Sequence, residues 1–419
     1  MLSIAGKLAT WAAGLRPTAE DLALADRSLL DTVAVAIAAR DEPVVRTASS
    51  LSEAARWAVA AHVLDFDDLH MESTTHISAV CVPAVLAAGG DARAYLAAAG
   101  VMSRLGGALG WSHYTSGWHA TTTAGAPAAA VGAGVALGLD AERLATAMAL
   151  AVPAAGGVQR AFGTDAKPLQ VGFAADAGVR AAYLAAAGAS ADASALDQWL
   201  ELVGGDQNAL DLSGPAIPGG LAIKIFPCCY ALQRPISALA ELAPKLDVAQ
   251  VSRIVLKTPK GTVTPLIHHR PDTGLQGKFS IEYAAATALL DSHQGFASFT
   301  DHAVRRPAAR HLVDLVDVRL GDGEDGLLAG ELEAEVHLGG DVRRVTSRLP
   351  PGSPGRPPTR EELLRKVADC LQGTTLDPES IRWSSAGRIL RDQLQDRPAQ
   401  RTEAPHPPRT ERSPHGGAA

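Results

Sequence analysis

Residues Ala124–Gly138 read AGAPAAAVGAGVALG, with no charge, no aromatic ring and only Leu137 larger than valine. A helix built of such residues packs closely on every side, and alanine is the strongest helix former. Val80–Gly90, Asp140–Val152 and Val171–Gly188 carry related patterns, with glycines as stops. The extended run Ala124–Leu139 is too short and too rich in Ala and Gly to span a membrane. These stretches predict mutually buried helices.

Helix starts agree with that reading. Thr18-Ala-Glu-Asp21 and Ser50-Leu-Ser-Glu53 look like N-termini, the second a capping box, and Leu29–Ala39 and Trp57–Leu64 have helical spacing. The pattern changes near Pro218-Gly219-Gly220. Val251–Lys257 and Leu312–Leu320 favour strands. Glu331–Leu338 alternates strictly, and Gly339-Gly340-Asp341 then turns the chain into Val342–Arg348. Between them Ile281–Ser292 looks helical. The predicted fold is mainly α, with a large all-helical domain at 1–220 and a smaller α+β lid domain at 221–350. A chain of 419 residues favours two domains in any case. Past the Pro350–Pro358 linker, Thr359-Arg-Glu-Glu362 caps a helix in 359–390 that returns to the first domain. Residues 391–419 lack periodicity and are expected to form a disordered tail.

The formal charge of −7 argues against a nucleic-acid partner, which would call for a basic surplus. Four cysteines offer no CxxC pair, and Cys228 and Cys229 are adjacent, so a bond between them would be strained. Reduced thiols and a cytoplasmic location are expected. The stretch MLSIAGKLATWAAGLRPTAED lacks a signal-peptide core and reads as a helix.

The chemistry concentrates in Leu64–Ser78, LDFDDLHMESTTHIS, with three aspartates, two histidines and a glutamate. His62, Asp65, Asp68 and Leu69 fall at helical spacings, which predicts a shared face. Carboxylates at a helix C-terminus are costly unless cations match them. Lys167 in FGTDAKPLQ and Lys224 in AIKIFPCCY, both among small or apolar residues, are the candidates. In GWHATTTAG, His119 precedes three threonines. Its imidazole, the Thr121 and Thr122 hydroxyls and free N–H groups at a helix start suit an anion, although threonines there also serve simply as caps. His62 reads as core packing, and His268–His269 as a loop at the lid.

LDFDDLH…HIS, GWHATTTAG, FGTDAKPLQVG, KIFPCCYALQ and GLQGKFSIEYAAA, followed by PGSPGRPPTREELLRKV, occur in the order that resembles the MmgE/PrpD family. The resemblance runs from near the N-terminus to about Gln393. That family includes 2-methylcitrate dehydratase, cis-aconitate decarboxylase and iminodisuccinate epimerase. The resemblance implies an all-α domain with an α+β lid, a homodimer, and a site between the two parts. It implies catalytic roles for Asp65, His76, His119, Lys167 and Lys224, and by a looser match Tyr283. Thr121, Thr122, Cys229 and Lys278 are expected to bind substrate. Two departures stand out. Leu69 replaces the usual threonine after the aspartates, and Cys229 stands where the decarboxylase branch carries a histidine. The segment between about Arg40 and Ser50 is also short against the family.

The implied substrate is a small di- or tricarboxylic acid, with no metal or organic cofactor. Lysines would neutralise the anion that forms when a C–H bond beside a carboxylate breaks, His76 and His119 would act as base and acid, and Asp65 would orient one of them. Dehydration is the first expectation; decarboxylation, epimerisation and a degenerate carboxylate-binding dimer are alternatives. Two metal-based rivals also fit by residue type. One is a magnesium-dependent prenyl cyclase using Asp67, Asp68 and Glu72, and the other a hydrolase using Asp67, His70, His76 and His268–His269.

Overall fold

The computed structural model describes residues 2–321 and 330–395. Its helical body contains α1 (Ile4–Gly14), α2 (Ala19–Ala38), α3 (Pro43–Thr47), α4 (Glu53–Val63) and α5 (Ile77–Ala87). It continues through α6 (Ala92–Thr115), α7 (Ala120–Ala136), α8 (Ala141–Ala151), α9 (Ala166–Ala186) and α10 (Ala195–Leu202). The small-residue helix α7 is buried along almost its whole length. Gly178 of α9 shows why: a Cβ there would meet the Ala129 methyl of α7 at 2.4 Å. Only glycine lets the two backbones approach this closely.

Next come α11 (Gln233–Leu242), β1 (Val251–Pro259), α12 (Lys260–Val263), α13 (Gly274–Gly277), α14 (Ile281–Leu290) and α15 (Asp301–Val304). They are followed by α16 (Pro307–Asp314), β2 (Val316–Gly321), β3 (Leu332–Leu338) and β4 (Asp341–Ser347). The four strands form one sheet in the order β2-β1-β3-β4. β1 is parallel to β2 and antiparallel to β3, and β3 and β4 make a hairpin at Leu338 and Asp341. Ile254, Leu256, Ala334 and Val336 of the sheet share a core with Ile236 and Leu239 of α11, Ala284 and Ala288 of α14, and Leu312 of α16. The architecture is thus mainly helical with a small α+β part. The last helices, α17 (Arg360–Cys370) and α18 (Trp383–Gln393), place Leu363, Val367, Ile389 and Leu390 in the core of the helical body. Among the described residues no helix is long and apolar enough to cross a membrane.

Local readings hold at Thr18–Asp21 and Thr359–Glu362, which both form reciprocal capping boxes. Several need correction. Ser52 caps α4, its Oγ accepting from the Ala55 N–H, while Ser50 ends a single 3-10 turn. The strand expected from Leu312 starts at Val316, because Pro307 at the first helical turn begins a helix that runs to Asp314. The 24-residue α6 has no counterpart in the sequence reading, and it changes direction at Gly110, where φ is 68°. A disordered tail is expected from Arg391, but α18 continues to Gln393; the rest of that expectation, residues 396–419, lies outside the described residues.

Candidate active site

The acidic segment is not a continuation of a helix. α4 ends at Val63, and Asp65 takes a left-handed conformation, φ 56°, one of two non-glycine residues with positive φ among those described. Such a conformation costs a non-glycine residue free energy, and Asp tolerates it better than most. The chain then runs through bridges pairing Leu69 with Ala222 and His70 with Thr75, and reaches His76, the N-cap of α5. One turn therefore sends three neighbouring carboxylates in three directions.

Asp67 faces the histidines. His62 Nδ1 donates to its Oδ2 at 2.7 Å, and His76 Nδ1 lies 3.1 Å from the same oxygen. Asp68 instead serves the start of α5, accepting from the Ser78 N–H at 3.1 Å and from the Ser78 hydroxyl. His119 is the N-cap of α7, its ring centroid 5.8 Å from that of His62, which lies 4.8 Å from His76. Gln170 in α9 fixes its protonation. The amide oxygen accepts the Val158 N–H at 3.1 Å, so the amide nitrogen donates to His119 Nδ1 at 2.6 Å. The imidazole proton is left on Nε2.

Asp65 faces the ammonium groups. Lys167 Nζ lies 3.0 Å from Asp65 Oδ1 and Lys224 Nζ 3.5 Å from it. Lys224 also donates to the Asp65 main-chain oxygen at 2.5 Å, and Lys278 to that of Leu64 at 3.2 Å. Cations thus gather on the electronegative end of α4. The side chains of Asp65, His76 and Lys167 are 16%, 14% and 20% exposed, against 0% for His62 and 2% for Lys224, so solvent reaches the site through those three. Phe162 borders both halves, its ring 4.9 Å from that of His119 and 5.5 Å from Lys167 Nζ.

The electrostatics follow from burial against pairing. Burial alone would raise Asp65, but Lys167 and Lys224 hold it well below its ordinary value. Burial opposes the Lys224 charge, yet Asp65 more than offsets it and raises the ammonium; at Lys278 burial prevails and lowers it. Asp67, also buried, is kept well below the carboxylate range by His76 and His62. Burial depresses His62 to about 4 despite Asp67, and burial with His62 and Lys167 nearby takes His119 well below its ordinary value. The site presents an ionised Asp67 between two imidazoles, a neutral donor at His119, and Lys167 and Lys224 on the Asp65 carboxylate with Lys278 on the adjoining Leu64 carbonyl.

The MmgE/PrpD N-terminal domain matches residues 48–200, and the MmgE/PrpD C-terminal domain matches residues 226–383. The chain belongs to the MmgE/PrpD family. Among its MmgE/PrpD relatives, cis-aconitate decarboxylase of Aspergillus terreus (strain NIH 2624 / FGSC A1156) is 26% identical over 377 residues, 79% of this chain and 76% of that protein. The cis-aconitate decarboxylase of Mus musculus is 28% identical over 290 residues, covering 62% and 58% of the two chains. That of Homo sapiens is 28% identical over 219 residues, covering 48% and 44%.

Of the residues anticipated in this MmgE/PrpD chain, Asp65, His76, His119, Lys167, Lys224 and Lys278 come together. The carboxylate set against the histidines is Asp67, whereas the left-handed turn aims Asp65, expected to orient a histidine, at the lysines. Cys229 is nearby, its thiol raised to about 11 by burial and then by Asp65. Tyr283 is not delivered to the cluster. Its hydroxyl donates to the Ser298 carbonyl inside the core of the α+β part, and burial raises it to about 12. Thr121 and Thr122 are fully buried with their hydroxyls committed: Thr121 accepts from the His76 N–H at 3.0 Å, and Thr122 donates to the His119 carbonyl at 2.9 Å. Leu69 packs with Ala222 and Tyr230.

Four residues of the cluster have other readings or none in the sequence: His62 reads as packing, Asp67 only as a metal ligand, and Gln170 and Phe162 are not singled out. His62 and Asp67 are five residues apart across a helix end, so no helical spacing links them. Gln170 carried a signal, since it follows Lys167 by three residues on one helix face. The metal rivals lose their geometry. Asp67, Asp68 and Glu72 lie in a non-helical segment where Asp68 serves Ser78. His70 bonds Ser73 and the Pro218 carbonyl, and His269 bonds Glu282. The ligand atoms of His62, Asp67 and His76 do lie within 4.8 Å of one another, a spacing that the His62–Asp67 hydrogen bond and the 3.1 Å approach of His76 to the same oxygen account for.

Proposed function

We propose that this protein is a lyase acting on a small di- or tricarboxylic acid, moving a proton at the carbon beside a carboxylate and expelling water. The observation that carries this reading is the meeting of a carboxylate-backed histidine, His76 against Asp67, with two ammonium groups on Asp65 and a third, Lys278, on the adjoining Leu64 carbonyl. Substrate carboxylates would pair with Lys167 and its neighbours at the exposed side of the cluster. His76 Nε2 would take the proton from carbon, and Asp67 would stabilise the imidazolium. As the C=C bond forms, the C–O bond breaks, and the imidazolium returns its proton to the departing hydroxide to give water. The His119 Nε2–H, neutral and fixed by Gln170, would donate to that oxygen as charge builds on it.

Decarboxylation is the second reading, favoured by the likeness to the cis-aconitate decarboxylases of Aspergillus terreus, mouse and human. The same imidazolium would then protonate the carbon that loses carbon dioxide. Proton NMR of citrate, 2-methylcitrate and cis-aconitate in deuterium oxide separates the two. An unsaturated acid with the same carbon count reports dehydration, and one with a carbon fewer reports decarboxylation. In either case His76→Ala and Lys167→Ala should abolish exchange at carbon in proteins that remain folded by circular dichroism. Wild-type exchange in either variant removes that residue from the mechanism.

A further inference from the structure

Three consecutive main-chain carbonyls in the site turn are each held by a lysine from a distant segment. Leu64 accepts from Lys278 at 3.2 Å, Asp65 from Lys224 at 2.5 Å, and Phe66 from Lys366 at 2.8 Å. The third lysine has no part in the chemistry above. It belongs to α17, and its side chain is fully buried, at 0% exposure, 2.5 Å from Asp31 of α2, itself 1% exposed. The ammonium also sits 3.8 Å above the Phe66 ring. Its surroundings are thus a carboxylate, a carbonyl and an aromatic face, all contributed by the helical body and the turn.

A buried ion pair is a poor way to gain stability, because desolvation offsets the attraction, and apolar pairs of similar volume are often as good. Its strength is direction. The Phe66 carbonyl belongs to the peptide that joins Phe66 to Asp67. Fixing it fixes the plane between the carboxylate that faces the lysines and the one that faces the histidines. A left-handed residue such as Asp65 needs its surroundings to hold it there. Lys224 and Lys278 hold the first half of the turn and Lys366 the second.

We propose that Lys366, anchored by Asp31, is a positioning residue of the site, which makes helix α17, distant from it in sequence, part of the catalytic apparatus. It acts through the Phe66 carbonyl on the aim of Asp67 at His62 and His76. The proposal rests on the lyase reading for its rate effect but not for its structural effect, and the experiment reads both. Asp31→Leu with Lys366→Met replaces the ion pair by apolar side chains and removes the donor to Phe66 without leaving a lone buried charge. The expected result is a thermal midpoint within a few degrees of wild type, kcat lower by about 100-fold, and KM within about threefold, the signature of a misplaced catalytic group.

Histidine-selective nitrogen-15 spectra of the same variant supply the reading that needs no turnover. The Nδ1–H resonances of His62 and His76 should move as the Asp67 hydrogen bonds loosen. Wild-type kcat in the double variant overturns the proposal. If wild-type protein turns over none of the acids, the lyase reading falls by itself, and the spectra decide: shifted imidazole signals uphold the positioning role, and unchanged ones overturn it. Should the double variant not fold, Asp31→Asn with Lys366→Met is read by the same two measurements.

Discussion

The two halves of the site are built in opposite ways. The histidine half comes from the helical body alone: His62 at the end of α4, His76 and His119 at the starts of α5 and α7, and Gln170 on α9. Its contacts are between side chains, and its positions are set by small-residue helices packed nearly backbone to backbone. The lysine half draws on separate pieces of the molecule: Lys167 from α9, Lys224 from the stretch before α11, and Lys278 just after α13. Two of its three ammonium groups grip main-chain oxygens as well as or instead of a carboxylate. On the proposed reading, proton transfer falls to the helical body alone, and charge neutralisation is shared between Lys167 of that body and two lysines that reach it from later segments of the chain. A site made this way can alter its grip on the acid without disturbing its base.

The comparison is broken most severely at Lys224. Lys224→Met removes the buried cation beside Asp65 and the donor to its carbonyl. Loss of kcat/KM by about 1000-fold is expected, with roughly 3 kcal/mol of folding stability lost, because one partner of a buried pair is left behind. The histidine half should survive, so the nitrogen-15 signals of His62 and His76 should stay near wild type. Their loss would mean that the two halves are one unit.

Asp68 tests whether the third carboxylate belongs to either half. Burial lifts its carboxyl to about 7 from the ordinary 3.8. A carboxyl raised on folding adds stability that is complete below its unfolded value and disappears as pH rises through the folded one. Wild-type protein should therefore lose roughly 3 kcal/mol from this group between pH 5 and pH 8. Asp68→Asn should remove that slope, so that its urea midpoint exceeds the wild-type value at pH 8. Unchanged catalysis in this variant would assign Asp68 to the cap of α5 alone.

A smaller effect is expected from Gln170→Glu, which breaks the histidine half while leaving the lysines in place. A carboxylate at the His119 Nδ1 position demands a proton there and raises the imidazole that Gln170 keeps neutral. At pH 8 kcat should fall by about 10- to 50-fold. It should recover as pH drops and His119 gains its second proton, a rise that wild type lacks. A parallel fall at every pH would show that the His119 protonation state is immaterial.

How much of this was legible in the sequence also divides along the two halves. Lys167 and Lys224 stood out because a lysine among alanines or beside Pro-Cys-Cys is unusual for a solvated charge, and the acidic helix end called for cations. The mainly helical fold was readable from the small-residue periodicity for the same local reason. The histidine half was harder. His119 was visible at a helix start and His76 through the family resemblance, but His62 looked like packing, and the orienting role went to Asp65. The deciding feature was the left-handed turn at Asp65, which sends neighbouring aspartates to opposite partners and leaves no trace in residue spacing. Tyr283 erred in the other direction: it lies in a motif that points to the site, yet its hydroxyl is taken by the Ser298 carbonyl.

Phe162 borders both halves, and it carries the smallest expected change. Its ring meets His119 edge-on and lies within cation–π reach of Lys167. Such a contact at a partly exposed site is worth about 0.5–1 kcal/mol, which corresponds to roughly two- to fivefold in rate or affinity. Phe162→Leu keeps apolar bulk over His119 but gives up the attraction for the ammonium. If Phe162 serves the lysine half, KM for the acid should shift by that factor with kcat unchanged, because Lys167 holds the substrate carboxylate. If it serves the histidine half by keeping water from His119, kcat should change instead, since the donor to the leaving oxygen works best dry. An equal change in both would mean that the ring only fastens the 155–165 loop. The division between a rigid proton-transfer half and an adjustable charge-binding half would then stop short of this loop.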